Sequence, residues 1–442
     1  MTTTQQSRPA ATTEQSRRAL LAGSVGNFIE WYEFGVYGFL ATIIAANFFS
    51  TTGGSSVEAL IKTYASFALA FFFRPVGAAL FGRLGDRIGR RPTLILVLLL
   101  MSGATTAIGL LPTYATIGIW APILLTLVRI LQGLSAGGEF GGAVSVMTEF
   151  APTGRRGLFG SWQSFTVALG LLAGAGISAI LAGSLTADQL GSWGWRIPFL
   201  LALPMGLVAL WLRLKLEETP SFQRIEAGEK DHRNASGPVT KPSAGEVTKA
   251  ILLGIGRLMG WSAAGYTFLV VMPAYLQSSL GATFQEALVA TVLANVGFAA
   301  TILPAGAISD RIGRRAVMLA GSLLIAALAL PLLNLLQDPS APLALKGVAV
   351  FVAGAAVGLI AGPGPAMLSE MFPTSVRYTG LGLAYSLSNA VFSGSAGLII
   401  TSLIAVTANK DIPAYYVMIT CLISAAALFT LRGDDHRRDL QD

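Results

Sequence analysis

The hexapeptide Asp-Arg-Ile-Gly-Arg-Arg occurs twice, at Asp86–Arg91 and at Asp310–Arg315, 224 positions apart in a chain of 442 residues. A second pattern, Glu149-x-x-Pro152-Thr153-x-x-Arg156, returns as Glu370-x-x-Pro373-Thr374-x-x-Arg377 at an offset of 221. Two patterns that repeat in the same order at nearly the same spacing point to duplication of one unit. Each hexapeptide sits between two long apolar stretches, so the duplicated unit is a set of membrane helices. Internal duplication of that kind is a signature of transporter architecture.

Composition supports a lipid environment. Only 12% of residues are charged, 53% are hydrophobic, and mean hydropathy is +0.65, whereas a soluble domain carries about 25% charged residues. The 50 glycines and 20 prolines do not imply disorder, because both are frequent in membrane helices and small residues let helices approach closely. The single cysteine, Cys421, excludes an intrachain disulfide. With only His232 and His436 beside it, no Cys/His metal set exists, so neither metal nor cofactor is expected. The pI near 9.6 does not imply nucleic acid, because the positive charge is confined to loops at the membrane edges.

A membrane helix needs roughly 20 mostly apolar residues. Reading apolar runs against charged and Pro/Gly breaks predicts twelve, near 20–46, 58–82, 93–111, 121–147, 159–182, 195–214, 249–272, 287–308, 316–336, 346–369, 378–402 and 413–431. The expected fold is an all-α membrane protein of two pseudo-symmetric six-helix bundles. A cytoplasmic tail (1–19) precedes the first bundle (20–214), a polar cytoplasmic linker (215–248) precedes the second (249–431), and a second tail (432–442) follows. One side of the membrane holds 23 Lys and Arg residues. The other holds four, Lys62, Arg196, Lys346 and Lys410, which places both termini in the cytoplasm. Residues 1–18 are polar and lack the apolar core of a cleaved signal.

The glycines of the hexapeptides allow tight cytoplasmic turns. Asp86 and Asp310 can cap a helix or pair with an arginine across the bundle. Asp86, Arg87, Arg90, Arg91, Asp310, Arg311, Arg314 and Arg315 are therefore expected to latch the cytoplasmic face, although a plain positive anchor would need only the arginines. Glu149, Arg156, Glu370 and Arg377 are expected to join the same networks as gating residues.

The duplicated loop motif resembles that of the major facilitator superfamily. The segments Gly26-Asn27-Phe28-Ile29-Glu30-Trp31-Tyr32-Glu33-Phe34, Arg74-Pro75-Val76-Gly77, Gln132-Gly133-Leu134-Ser135-Ala136-Gly137-Gly138-Glu139 and Trp193-Gly194-Trp195-Arg196-Ile197-Pro198-Phe199 resemble, more narrowly, its metabolite:proton symporter family. That family includes permeases for proline/betaine, α-ketoglutarate, shikimate and citrate. Two departures stand out. Glu33 replaces an Asp usual in those relatives, and Arg129 matches the dicarboxylate-type members where the proline/betaine member has Lys. The chain stops at Asp442 without that member's long C-terminal coiled coil, so the resemblance does not carry osmotic activation with it.

Ionisable side chains inside a bilayer cost several kcal/mol and usually face a cavity or a partner. Six lie well inside the expected spans: Glu30, Glu33, Arg74, Arg129, Glu139 and Arg257. Glu30 and Glu33 are three apart and share a helix face with Asn27 and Tyr37. Two close carboxylates raise one another's proton affinity, so these two are the expected proton-coupling groups, the alternative being a fixed ion pair with an arginine. Arg129 and Gln132 share a face of the fourth span. A guanidinium in a cavity suits a substrate carboxylate, unless it pairs internally with Glu30 or Glu33. Arg74, read as near the cytoplasmic end of its span, either binds an anion or braces that end. Glu139 reads as structural or as part of a proton exit, and Arg257 as reaching to the cytoplasm. Gln163, Trp162, Trp261, Tyr266, Tyr385 and Asn389 are candidate cavity lining, and Gly362-Pro363-Gly364-Pro365 is a candidate hinge.

No Gly-x-x-x-x-Gly-Lys-Ser/Thr occurs, so ATP does not drive the protein directly. No catalytic constellation, channel filter or signalling module is visible. The expected function is proton-coupled import of a small carboxylate-bearing metabolite by alternating access. The substrate would be a compatible solute such as proline or betaine, or an organic acid such as α-ketoglutarate, with export by antiport as the alternative. The expected setting is the bacterial inner membrane, with lipid, proton and solute as partners, no nucleic acid, and a monomer as the functional unit.

Overall fold

The computed structural model describes residues 13–50, 54–88, 90–137, 140–141, 144, 147–148, 151–152, 154–214, 243–372 and 374–433. Within those stretches the side chains at 13–23, 82–83, 85–88, 90–91, 94, 213, 374–375 and 378 are not described. The described residues contain helices and no strand, as hydrocarbon demands of a chain with no closed barrel.

The helices follow the twelve apolar runs. In the first half they are α1 (Thr13–Phe39), α2 (Ser56–Ile88), α3 (Arg90–Leu110), α4 (Trp120–Ala136), α5 (Arg156–Ser184) and α6 (Ala202–Leu214). In the second they are α7 (Ala244–Tyr266), α8 (Phe284–Ile312), α9 (Arg314–Gln337), α10 (Leu343–Ala361), α11 (Thr374–Ser388) and α12 (Ile412–Leu428). Several spans continue through a change of pitch. After α1 the chain bends by 62° into Ala41–Phe49. That continuation ends in a π-helical turn at Ala45–Phe49, and α7 runs into one at Thr267–Val271, 222 positions later. The first helix of each half therefore loosens at equivalent places.

The pairing of helices shows the duplication directly. In the first half α1 packs on α5, α2 on α4 and α3 on α6; in the second α7 packs on α11, α8 on α10 and α9 on α12. The halves meet through α5 against α8 and α2 against α11. Adding six to each number of the first half gives its partner in the second.

Small residues make these contacts possible. A Cβ at Gly133 would lie 1.9 Å from the Ala70 carbonyl oxygen, and one at Gly137 would lie 2.0 Å from that of Arg74. In the second half a Cβ at Gly354 would lie 1.8 Å from the Ala294 carbonyl oxygen. Gly354 is Gly133 displaced by 221, so the α2–α4 and α8–α10 seams are copies of one backbone contact in which only hydrogen fits. The opposite faces expose Leu, Ile, Val, Phe and Trp side chains such as Leu80, Leu207, Trp211, Val348 and Ile419, as expected of surface whose solvent is lipid.

Two sequence features are structural. In the Trp193–Phe199 segment, Trp195 lies edge-on against Phe48, and Arg196 Nη1 donates to the Gly109 and Leu111 carbonyls at 2.8 and 2.7 Å. Arg196 thus satisfies the last carbonyls of α3. At the start of α7, Ser243 and Glu246 form a reciprocal capping box. The backbone amide and hydroxyl of Ser243 hold the Glu246 carboxyl below its usual range.

Candidate functional site

Glu30 on α1 and Arg74 on α2 form an ion pair, Nη2 to Oε1 3.2 Å, with both side chains buried. The Arg74 guanidinium carbon also lies 4.3 Å from the ring centre of Phe34, 4.2 Å from Phe71 and 5.7 Å from Trp31. The charge rests on aromatic faces whose quadrupoles attract it. Arg74, read as near the end of its span, is thus paired with Glu30 of the neighbouring helix. Its own helix carries on past the expected limit at 82 to Ile88 and spans 33 residues.

Arg129 is fully buried, at 0% exposure, yet among the described residues it forms no ion pair. Its Nη1 donates to Gln132 Oε1 at 2.6 Å. Gln132 Nε2 in turn donates to Thr105 Oγ1, and Thr105 Oγ1 to Glu33 Oε2 at 2.6 Å. The alternative of a direct pair between Arg129 and Glu30 or Glu33 is not formed, and a relay through α4 and α3 leads instead to Glu33. The guanidinium carbon stacks 4.1 Å from the Tyr37 ring centre and 5.0 Å from Phe34. Its Nε and Nη2 have no hydrogen-bond partner. Those two N–H groups leave the planar guanidinium side by side, in the spacing that a carboxylate takes up bidentately.

The remaining candidates divide. Asn27 and Gln163 bond each other: Asn27 Nδ2 donates to the Gln163 carbonyl at 3.0 Å and to Thr166 Oγ1 at 2.6 Å, which seals α1 to α5. Tyr37 hydroxyl meets Ser66 Oγ at 2.5 Å beneath the Arg129 stack. From the second half, Tyr266 brings its ring within 6.0 Å of Trp31 and 5.3 Å of Phe71, and its buried hydroxyl has no hydrogen-bond partner. Tyr385 stacks on Phe140 of the first half at 3.3 Å and lies 5.9 Å from Trp261. Asn389 Nδ2 donates to the Tyr385 carbonyl, while its Oδ1 accepts from Ser393. Trp162 Nε1 donates to Ser24 Oγ, a contact between α5 and α1. Arg257 Nη2 donates to Thr430 Oγ1 at the end of α12.

A second charged cluster joins the two halves. Asp310, at the end of α8, accepts from the Gly157 amide (2.7 Å) and the Leu158 amide (2.9 Å), the first turn of α5. Arg314 binds Asp310 at 2.7 Å and Glu370 at 3.1 Å, and Arg156 reaches Glu370 at 3.5 Å. A carboxylate at a helix N-terminus satisfies orphan amides and the helix dipole together. Beneath it a Cβ at Gly157 would lie 2.5 Å from the Gly306 carbonyl oxygen, so the α5 and α8 backbones touch. Arg311 is exposed and lies outside this cluster. Arg315 contacts the Leu431 carbonyl, and Arg377 donates to the Ser369 and Phe372 carbonyls within its own half. The side chains of Asp86, Arg87, Arg90 and Arg91, and residues Glu139 and Glu149, lie outside the described residues.

The family model for "Sugar (and other) transporter" matches residues 19–241, and that for "Major Facilitator Superfamily" matches 250–441. Curated relatives cover nearly the whole chain. The proline/betaine transporter of Salmonella typhimurium is 36% identical over 95% of this chain and 84% of its own length. The glycine betaine/proline/ectoine/pipecolic acid transporter of Dickeya dadantii is 35% identical over 92% of this chain and 81% of its own. The chain belongs to the major facilitator superfamily. Its fold agrees: a crystal structure of a D-xylose-proton symporter superposes with a TM-score of 0.76 over 96% of this chain and 99% of its own at 19% identity. The relatives are transporters rather than enzymes.

In this superfamily member the charged centre includes residues that sequence reasoning passed over. Thr105, the link between Gln132 and Glu33, sits in an apolar run with nothing to mark it except its hydroxyl. Phe67, Phe71 and Phe140 carry no mark in the sequence that sets them apart from other apolar residues, and Phe34 stands out only as the end of the first-span motif. The one available signal was spacing: Phe67, Phe71 and Arg74 recur at helical intervals on one face of α2.

Proposed function

We propose that this protein imports a small carboxylate-bearing osmolyte of the proline or betaine kind together with a proton, by alternating access. The observation that carries the reading is Arg129, a buried guanidinium with no ion pair among the described residues and an open Nε/Nη2 fork, tied through Gln132 and Thr105 to a buried carboxylate. Leaving such a cation unpaired costs several kcal/mol, which an entering carboxylate would relieve. The names of the curated relatives support an osmolyte as the solute.

In the proposed cycle a proton reaches Glu30 or Glu33 from outside, and the solute carboxylate docks on Arg129. Protonating Glu30 would loosen its hold on Arg74; protonating Glu33 would turn it from acceptor to donor toward Thr105 and reset the relay. The cluster of Asp310, Arg314, Glu370 and Arg156 serves as the cytoplasmic latch, with Arg377 bracing the short helix Gly364–Met371 that carries Glu370. Releasing the latch lets α5 and α8 part and frees solute and proton inward. Both termini lie in the cytoplasm of a bacterial inner membrane, and the unit is a monomer of two bundles. The test is uptake of labelled proline and glycine betaine into proteoliposomes of the purified protein, with an imposed inward proton gradient and without one. Gradient-dependent accumulation abolished by a protonophore is expected; equal uptake with and without the gradient would refute coupling.

A further inference from the structure

We propose that the rings of Trp31, Phe71 and Tyr266, beside the Arg74–Glu30 pair, form the seat of the substrate's positive charge, which takes the place of the Arg74 guanidinium there, and make the site selective for zwitterions over plain organic acids. The inference rests on the osmolyte reading above and assigns a specificity role to three residues outside its anion-binding step.

A cation already occupies this box. The Arg74 guanidinium lies 4.2 Å from the Phe71 ring centre and 5.7 Å from that of Trp31, with the Glu30 carboxylate 3.2 Å away. An aromatic face plus a carboxylate is the combination that holds an ammonium or quaternary ammonium group. Tyr266 supplies a third wall, 5.3 Å from Phe71 and 6.0 Å from Trp31. Its hydroxyl is buried without a hydrogen-bond partner, so nothing on its own side anchors that side chain to another task.

The box also lies next to the open fork of Arg129. Phe34 is the shared wall: its ring centre is 4.3 Å from the Arg74 guanidinium and 5.0 Å from that of Arg129. A short zwitterion with its carboxylate on Arg129 therefore carries its cation to the rings and Glu30 across the width of one phenyl group. An organic acid of the same shape has no group to place there. Tyr266 belongs to the second half while Trp31, Phe34 and Phe71 belong to the first. A cation bridging the two sets gains its third wall only when the halves close, so it favours the occluded state.

The experiment compares glycine betaine with 3,3-dimethylbutyrate, its isostere carrying carbon in place of the quaternary nitrogen, as competitors of labelled glycine betaine uptake into proteoliposomes. In the unaltered protein the neutral isostere is expected to compete at least about tenfold less well, the size of effect that desolvated cation–π contacts give. Tyr266→Leu is expected to shrink that gap to below about threefold, and Tyr266→Phe, which keeps the ring, to preserve it. Equal competition by the isostere in the unaltered protein, which needs no variant to fold, overturns the proposal and leaves uptake itself standing. An undiminished gap in Tyr266→Leu overturns the part given to Tyr266. Absence of any gradient-driven uptake of proline or glycine betaine overturns the osmolyte reading, and this inference with it.

Discussion

Replacing Arg129 with methionine tests whether its charge is kept for a ligand or for the fold. The guanidinium has no ion pair among the described residues; it has one hydrogen bond, to Gln132, and ring faces at 4.1 and 5.0 Å. A hydrogen bond to a charged group contributes about 1.5–3 kcal/mol and desolvated stacking on aromatic rings about 2 kcal/mol. Those gains are comparable to the several kcal/mol that burying the ion costs. Arg129→Met keeps most of the volume and removes the ion, so its stability should be unchanged or higher by up to about 2 kcal/mol. Solute binding should suffer, because truncating a buried charged partner costs about 2–5 kcal/mol. At 1.4 kcal/mol per tenfold, the apparent affinity should fall roughly 30- to several-thousand-fold. The assays are denaturation of the detergent-solubilised protein and the concentration dependence of proteoliposome uptake. A variant that unfolds more than about 3 kcal/mol more easily, or whose half-saturation shifts less than threefold, would refute the assignment.

Glu30→Gln should abolish gradient-driven accumulation while solute exchange across a preloaded membrane persists; if both Glu30→Gln and Glu33→Gln accumulate solute at the normal level, neither is the coupling group. Asp310→Asn weakens the carboxylate bonds to the Gly157 and Leu158 amides by about 1–2 kcal/mol, which shifts the balance toward a cytoplasm-open state by roughly 5- to 30-fold. Alkylation of a Ser161→Cys reporter in a Cys421→Ser background should rise accordingly, and unchanged labelling would count against the latch. Gly133→Ala, whose Cβ would sit 1.9 Å from the Ala70 carbonyl oxygen, should lower the unfolding midpoint by the equivalent of about 3 kcal/mol or more. Gly103→Ala, with nothing within 4 Å of its Cβ, should leave it unchanged or slightly raised; similar midpoints for the two would contradict the close α2–α4 seam.

Much of this was legible in the sequence because lipid writes a coarse text. An apolar run of about 20 residues admits few readings, and an arginine or glutamate inside one must have a reason. Hence the twelve helices, the duplication and the prominence of Glu30, Glu33 and Arg129. What stayed hidden depends on contacts between distant segments. That Glu30 pairs with Arg74, 44 positions away on the next helix, follows from no pattern in the sequence. The Arg129–Gln132–Thr105–Glu33 relay draws on α4, α3 and α1, and no spacing rule links residues 27 and 72 positions apart. Asp310 is recognisable as a helix cap, but nothing in the sequence says that the first amide it caps lies 153 residues earlier.

The duplication also shows where the two halves have parted. At the repeat's own offsets, Glu30 corresponds to Leu252 and Arg129 to Val350. Among the described residues the charged centre therefore sits on α1, α2 and α4 of one half, and the other half meets its rings with Tyr266. This division has a mechanical consequence. Parting two unit charges 4 Å apart costs about 4 kcal/mol at an effective dielectric constant of 20, so a central ion pair split between the halves would resist every opening. With both members of the Glu30–Arg74 pair on one half, rocking by itself does not part them, and their separation is left to protonation and to the solute. The Asp310–Arg314–Glu370–Arg156 cluster is built the opposite way, with Asp310 and Glu370 of the second half holding the α5 amides and Arg156 of the first. Its bonds must break for the halves to part there. Under the proposed alternating access, charge within one half serves binding that survives the motion, and charge across the halves sets the barrier to it.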